Sequence, residues 1–268
     1  MSAGTTDWDG RAYERLSAPQ EEWARRVLKR LPLRGDEIVL DAGCGSGRVT
    51  RLLLERLPRG GVIGVDGSPS MVQTAQESFA GEDRVTLIVS NLLELSPELL
   101  RHRAGTDSVD AVFSNATFHW IKDHDALFER ILSVLRPGGR LVAQCGGKGN
   151  VAVWLRAVDE VGAREPFAEH LSDFEPWNFY GPEQTERRLR RAGFEQISTE
   201  LVEVEPVEPE DPREFLTVVG LAAHNDRLPE ELREPFGDAV VEALPKPVEL
   251  RYIRLNIDAR RPGGEGEG

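Results

Sequence analysis

The clearest chemistry in the sequence lies in a glycine-rich stretch that follows a short apolar run. The run, residues 38–40, has two β-branched residues and is too short for a helix, which predicts a buried strand. Asp41 follows it, and glycines then alternate at Gly43, Gly45 and Gly47 before a helical pattern begins. Because glycine leaves the backbone bare and permits tight turns, this strand–turn–helix unit can present free N–H groups to a ligand.

A second acidic residue ends the next short apolar strand. Residues 61–66 end in Asp66, and Gly67 and Met71 follow in a predicted turn and helix start. An acid at the tip of the neighbouring strand, about 20 residues beyond a glycine turn, can accept both hydroxyls of a ribose. The spacing argues against NAD, because the dinucleotide fingerprint needs a third glycine where Arg48 stands.

These two stretches resemble motif I and the acidic strand tip of class I S-adenosylmethionine (SAM)-dependent methyltransferases. The resemblance lies in the pattern D-x-G-x-G-x-G at residues 41–47 and in Asp66. It implies SAM as cofactor, S-adenosylhomocysteine as product and no metal. The cofactor contacts that it implies in this region are Asp41, Gly43, Gly45, Gly47, Asp66, Gly67 and, on the adenine side, Met71.

The tip of the third predicted strand, residues 84–90, is the next candidate cofactor contact. The family usually has an aspartate here that reads the adenine amino group, and this chain has Asn91, followed by Leu92. An amide oxygen can still accept a hydrogen bond from an amino group. Asn91 and Leu92 are therefore predicted to contact adenine.

The stretch after the fourth predicted strand bears on the substrate. Residues 114–120 read Ser-Asn-Ala-Thr-Phe-His-Trp and resemble the trans-aconitate methyltransferase group, whose members methylate carboxylates. The resemblance implies that Asn115 touches SAM and shapes the floor of the site with Trp120. His119 stands where the bacterial enzymes usually have glutamine; it would donate a hydrogen bond to a carboxylate, or act as general base on a hydroxyl acceptor.

Strands and helices alternate from residue 38 to residue 146, which predicts a doubly wound parallel α/β sheet with its ligand at the carboxyl ends of the strands. The family implies a Rossmann-like sheet of seven strands with a helical lid insertion, and an N-terminal helix that brings Tyr13 and Gln20 to the methionine end of SAM. The predicted division is an N-terminal helical cap (1–35), a SAM-binding core (36–146), the rest of the sheet with a substrate lid (147–261) and a disordered tail (262–268).

Local patterns predict the remaining elements. They are a fifth strand at 140–145, an irregular aromatic segment at 163–181, an edge strand at 195–204, helical residues at 213–244 and a final strand at 248–258. His124, at a helix start, is predicted to be a surface residue.

Composition limits the partners. The net charge is −13 with scattered basic residues, which disfavours nucleic acid and leaves a small-molecule acceptor, with the protein a monomer or homodimer. Apolar runs are too short for a membrane span and no signal-peptide pattern is present, which predicts a cytoplasmic protein. The two cysteines, Cys44 and Cys145, have no metal-binding spacing and are predicted to be reduced core residues.

Two other functions remain open from the sequence. One is a C- or N-methyltransferase that acts on an apolar small molecule with the same cofactor site. The other is a non-catalytic SAM-binding protein, which would bind the cofactor without turnover.

Overall fold

The computed structural model describes residues 18–264, except for the side chains of residues 18–22. Within that part of the chain, one sheet has seven strands in the order β3-β2-β1-β4-β5-β7-β6. All neighbours are parallel except β7, which runs antiparallel to β5 and β6. The strands are β1 (Ile38–Ala42), β2 (Gly61–Asp66), β3 (Val85–Val89), β4 (Val109–Asn115), β5 (Leu135–Gly146), β6 (Glu195–Glu203) and β7 (Ile253–Arg260).

Helices cover both faces of the sheet and build the lid. They are α1 (Ala18–Leu28), α2 (Arg48–Glu55), α3 (Pro69–Ser78), α4 (Pro97–Ala104), α5 (His124–Val134), α6 (Ala152–Gly162), α7 (Ala168–Leu171), α8 (Pro182–Ala192), α9 (Pro212–Phe215), α10 (Ala222–Asn225) and α11 (Glu230–Ala243). Local signals set several starts. Ser68, for example, accepts a hydrogen bond from the Met71 N–H, and Pro69 occupies the first turn of α3.

Apolar side chains form three clusters. Two lie on the sheet: one includes Phe118 and Phe128, and the other packs the end of α1 against α2 and β1. The third, which we call the lid cluster, joins α6, α7 and α11 around Phe236. The lid itself consists of residues 147–181 and 205–252, which leave the sheet on either side of β6. The predicted seven-stranded, doubly wound sheet is therefore confirmed, and β6 is the edge strand that the sequence predicts.

Three predicted boundaries were wrong. β5 begins at Leu135 rather than at residue 140, because Leu135 pairs with Val109 before an irregularity in the ladder. β7 begins at Ile253 rather than at residue 248, and the preceding segment makes an isolated bridge between Val207 and Leu250.

The third boundary concerns the predicted helical residues 213–244, which are broken into several pieces. α9 passes into a π-helical turn, Leu216–Gly220, before α10 and α11. The break coincides with close packing, since a Cβ on Gly220 would lie 2.6 Å from Trp154 Cζ2. The predicted irregular segment also contains the short helix α7. Residues 265–268 of the predicted disordered tail lie outside the described residues.

Candidate active site

A cavity of about 600 Å³ lies at the carboxyl ends of the parallel strands, between the sheet and the lid. This volume lies within the range of about 300–1,000 Å³ that is usual for small-molecule sites. Most of the residues predicted for the site are brought together in its wall. They are Gly43, Gly45, Asp66, Gly67, Met71, Asn91, Leu92, Asn115, His119 and Trp120.

Four predicted cofactor residues are not part of that described wall. Asp41 is 1% exposed and lies behind the glycine turn, where its Oδ2 accepts a hydrogen bond from Thr50 Oγ1 at 2.6 Å. Burial raises the pKa of Asp41 to about 7. Gly47 caps α2, and a Cβ there would lie 2.7 Å from Phe79 Cε2. Tyr13 and the side chain of Gln20 lie outside the described residues.

The first two glycines of the turn serve different needs. Gly43 has φ +83°, and a Cβ on it would lie 2.1 Å from Thr117 Oγ1, so glycine lets the segment after β4 approach the turn. Gly45 has φ +54°, and the nearest atom to its Cβ position is Met71 Cε at 3.5 Å, an ordinary contact. The bare backbone of Gly45 therefore borders the cavity.

Asp66 ends β2 at the edge of the cavity and holds the glycine turn. Its Oδ2 accepts a hydrogen bond from Gly45 N and its Oδ1 from Ser68 N, both at 2.9 Å. Burial raises the pKa of Asp66, and the backbone hydrogen bonds oppose this effect. Each carboxylate oxygen keeps a further lone pair, so Asp66 can accept hydrogen bonds from a ligand as well.

Two asparagines line the cavity with different hydrogen bonding. The Oδ1 of Asn91 accepts from Leu93 N at 2.9 Å, which orients the amide and leaves its NH₂ group as a donor. The Oδ1 of Asn115, by contrast, is buried and has no hydrogen-bond partner among the described residues. A buried acceptor without a partner is costly, so Asn115 is suited to a ligand that brings a donor.

His119 is held as a neutral hydrogen-bond donor. Its Nδ1 lies 3.3 Å from the backbone nitrogen of Gly146, whose N–H can only donate, so the proton of the neutral ring is on Nε2. The ring is 8% exposed and stacks on Phe179 at 5.7 Å between centroids. Burial, with a contribution from the nearby positive charge of Arg254, lowers the pKa of His119 well below its ordinary value.

Sequence reasoning missed Arg254, a buried cation in the cavity wall. The side chain is 3% exposed, its Nε donates a hydrogen bond to Gln144 Oε1 at 3.3 Å, and its guanidinium carbon lies 5.3 Å from the centre of the Trp23 ring. The available signal was an arginine between two apolar residues, Ile253 and Leu255, of a predicted strand.

Apolar side chains of the lid close the cavity from above. Trp154 and Trp177 have ring centroids 5.1 Å apart, and Trp177 stacks on Phe179 at 6.2 Å. Asn178 ties this segment to the turn after β4, because its backbone N–H donates to His119 O at 2.8 Å and its Nδ2 to Ile121 O at 2.9 Å. Six apolar lid side chains that line the cavity are called the roof below: Trp154, Phe174, Trp177, Phe215, Leu216 and Val219.

The prediction that His124 lies on the surface was wrong. His124 is 2% exposed, and its Nε2 is 2.8 Å from Phe118 O. The lid covers it, with the Tyr180 ring 4.8 Å away between centroids. Burial lowers the pKa of His124 to about 4, so the residue is a neutral support beneath the site.

Other groups that could bring chemistry are buried or dispersed. Cys44 and Cys145 are buried free thiols, as predicted, and burial raises the pKa of Cys145 to about 12. Within residues 18–264, no group of three or more His, Cys, Asp or Glu side chains is arranged to hold a metal ion. No helix of that region is long and apolar enough to cross a membrane.

Comparisons with known proteins agree with this arrangement. A family model described as a methyltransferase domain matches residues 39–139. A methyltransferase of Schizosaccharomyces pombe is 30% identical over 217 residues, 78% of each chain. A trans-aconitate 2-methyltransferase of Azoarcus sp. (strain BH72) is 36% identical over 137 residues, 51% of this chain and 50% of that enzyme. The match thus spans half the length of that second relative.

A solved structure shares the fold. Phosphoethanolamine N-methyltransferase 2 of Haemonchus contortus, in complex with S-adenosyl-L-methionine, superposes with a TM-score of 0.60 at 22% identity over 94% of this chain and 56% of that chain. The sheet order and the cavity at its strand tips accord with the sequence matches. The chain belongs to the class I SAM-dependent methyltransferases, it resembles the trans-aconitate 2-methyltransferase group within them, and SAM is its cofactor.

Proposed function

We propose that this methyltransferase methylates the carboxylate of a small-molecule acid and forms a methyl ester. The observation that carries the proposal is the hydrogen bond from Gly146 to His119 Nδ1, which leaves an N–H on the other ring nitrogen. Arg254 adds a buried positive charge on the residue that pairs with Gly146 in the sheet. A donor beside a cation suits an anionic oxygen acceptor. The similarity to trans-aconitate 2-methyltransferases supports the same chemistry.

The cofactor half of the proposed site consists of residues around the glycine turn. Asp66 would accept the ribose hydroxyls, and the bare backbone of Gly45 would allow the cofactor to approach. Asn115 Oδ1, which is buried and has no hydrogen-bond partner among the described residues, would accept a hydrogen bond from the cofactor's ammonium group. These features fit SAM, and they support the cofactor roles predicted for the cavity-lining residues.

The remaining predicted cofactor residues would contact adenine or would support the site from behind the cavity wall. Met71 and Leu92 would pack on adenine. The NH₂ group of Asn91 would donate to a ring nitrogen at the adenine edge, rather than its oxygen accepting from the amino group as predicted, because that oxygen already accepts from Leu93 N. Asp41 would act indirectly, since its hydrogen bond to Thr50 anchors α2 behind the glycine turn. The roles of Tyr13 and Gln20 remain predictions from the family resemblance.

The proposed reaction needs no base from the protein. A carboxylate is ionised at neutral pH. Its oxygen forms a bond to the methyl carbon that SAM supplies, while the carbon–sulfur bond breaks and its electron pair stays on sulfur. The tasks left to the chain are to orient the acceptor oxygen and to exclude water. His119 and Arg254 would do the first, and Trp120 with the roof the second.

A hydroxyl acceptor fits the His119 geometry less well. General-base catalysis by His119 would need a lone pair on Nε2 and therefore a proton on Nδ1. The Gly146 N–H points at Nδ1 and would meet that proton, so the required tautomer is disfavoured. C- or N-methylation of an apolar molecule is the second candidate function, and the apolar roof is the observation that favours it.

The test is turnover with methyl-labelled SAM and a pool of small carboxylic acids, followed by treatment of the product with base. We expect label to be released as methanol, because methyl esters hydrolyse in base. Arg254→Gln should lower this signal about tenfold or more, since a charge-assisted hydrogen bond is lost. The matched control is Arg251→Gln, an exposed arginine nearby on the same segment. Label that is stable in base would overturn the proposal that the product is a methyl ester and would favour C- or N-methylation.

A further inference from the structure

The part of the cavity under the roof, where the acceptor would bind, has almost no charged side chain from the lid. Among the described lid residues that line the cavity, the charged one is Glu175, which is exposed and negative. The neighbouring roof is aromatic and aliphatic. Its buried polar group is the indole N–H of Trp154, which has no hydrogen-bond partner among the described residues. A neutral donor of this kind can meet a carbonyl or ether oxygen, but it cannot balance a negative charge.

Cations in the described cavity wall are few and differ in position. Arg48 follows the glycine turn, at the cofactor end. Lys122 is exposed, and its Nζ donates to Trp177 O at 3.4 Å. Arg254 is the buried one, and it pairs across the sheet with Gly146, whose N–H donates to His119 Nδ1. Among the described residues of the acceptor end, Arg254 is thus the one buried positive charge, and it lies where it can contact a carboxylate of the acceptor.

We infer that the acceptor is a monocarboxylic acid with an apolar body, an inference that rests on the carboxylate methylation proposed above. The carboxylate lies against His119 and Arg254, and the apolar body packs under the roof. Burying its surface against Trp177 and the other roof residues supplies the binding free energy. A second carboxylate would be buried beside the aromatic rings of the roof, which contains no cation, and the desolvation cost disfavours it.

The same reasoning separates this substrate class from small polycarboxylates. A tricarboxylate would have to satisfy two further charges, while the rim adds the negative charge of Glu175 and the protein carries a net charge of −13. The structural preference is therefore for one charge and one apolar end, even though related sequences include trans-aconitate 2-methyltransferases.

The direct test compares length-matched acids. Octanoate, octanedioate and trans-aconitate are each offered to the enzyme with methyl-labelled SAM, and base-labile label is measured. Binding of the same acids to the enzyme saturated with S-adenosylhomocysteine is measured by calorimetry, which needs no turnover. We expect octanoate to exceed octanedioate by about tenfold or more in both kcat/KM and affinity, because octanedioate buries an uncompensated charge.

A designed change of preference tests the roof itself. Val219→Arg puts a cation into the roof and should raise the kcat/KM for octanedioate relative to octanoate by about tenfold. The matched control is Val153→Arg, since Val153 is 37% exposed beside Trp154 on α6. Thermal unfolding verifies that both variants are folded. If Val219→Arg is unfolded, the comparison of octanoate with octanedioate in the wild-type enzyme tests the inference instead.

The outcomes separate the two proposals. Base-labile label with octanedioate or trans-aconitate equal to or above octanoate would overturn the monocarboxylate inference and leave carboxylate methylation standing. Base-labile label from none of the acids, with SAM bound normally, would overturn carboxylate methylation and the inference together. A tenfold preference for octanoate that falls in Val219→Arg and persists in Val153→Arg would support both.

Discussion

The single proton on His119 decides what this side chain can do. The backbone of β5 fixes that proton through the Gly146 N–H, so the choice between donor and base is made by the fold rather than by a neighbouring acid. Because burial lowers the pKa of the ring well below its ordinary value, His119 loses its charge at a lower pH than a free histidine. The donor form is therefore present throughout the neutral range.

The first prediction follows from that donor role. His119→Gln keeps an N–H donor and should keep kcat/KM within about tenfold of wild type, whereas His119→Phe should lose more than that, with SAM affinity unchanged. Between about pH 6 and pH 9 the pH profile of kcat/KM should contain no limb that depends on His119, because burial lowers the pKa of His119 well below its ordinary value. A rising limb centred near pH 6.5 that vanishes in His119→Gln would instead identify a general base.

Sequence reasoning located the polar residues at the strand tips but not the residues that pack against them and define their roles. Strand tips are recognisable locally, and for that reason Asp66 and Asn115 were predicted as neighbours. Arg254 depends on register, since it pairs with Gly146 only after β7 inserts beside β5. His124 has a polar local context and is buried because Tyr180 of the lid covers it.

At the scale of elements, Gly43 and Gly45 of the turn between β1 and α2 both line the cavity, but they meet different neighbours. Gly43 makes room for Thr117, so its hydrogen atom faces another part of the chain. Gly45 borders the cavity, and its N–H is held by Asp66. Two glycines two residues apart thus have separable functions, which sequence spacing alone does not distinguish.

The second prediction tests this separation. Gly43→Val should lower the midpoint of thermal unfolding strongly, because its Cβ would lie 2.1 Å from Thr117 Oγ1 at φ +83°. Gly45→Val meets Met71 Cε at 3.5 Å and should remain folded, although a β-branched residue at φ +54° adds strain of about 1–3 kcal/mol. Its SAM affinity, measured by calorimetry, should fall about tenfold or more. Normal SAM binding by folded Gly45→Val would remove this glycine from the cofactor site.

Element order was predictable from the sequence, whereas several element boundaries were not. Alternation of short apolar strands with helical patterns is a local property, and it gave the doubly wound sheet. The extension of β5 back to Leu135 depends on pairing with Val109, and the π-helical turn depends on Trp154 packing on Gly220. Both are tertiary contacts that no local pattern contains.

At the scale of the whole molecule, the cavity lies between two separately packed bodies. The two sheet clusters support the strand tips that form one side of the cavity, and the lid cluster supports the roof on the other side. Asn178 joins the two, through its backbone N–H to His119 O and its side chain to Ile121 O. The position of the roof over the floor therefore depends partly on a few polar contacts.

The third prediction concerns that connection. Asn178→Ala removes the side-chain hydrogen bond to Ile121, a loss of about 1 kcal/mol, and should raise the KM for the acceptor about fivefold. SAM affinity should be unchanged, because the floor residues are untouched. Steady-state kinetics and calorimetry measure the two quantities separately. A loss of SAM affinity equal to the rise in KM would show that the lid also shapes the cofactor site.

The separate packing of the lid also has an evolutionary consequence. The family model ends at residue 139, before the lid begins, so it covers the glycine turn and Asp66 but none of the roof. Mutations within the lid cluster alter side chains around Phe236 and the roof without repacking the sheet. If the acceptor binds under the roof as proposed, lineages can then acquire new acceptors by drift in the two lid segments while keeping one methyl donor. Exchanging these segments between related enzymes is accordingly the natural way to transfer acceptor preference from one to another.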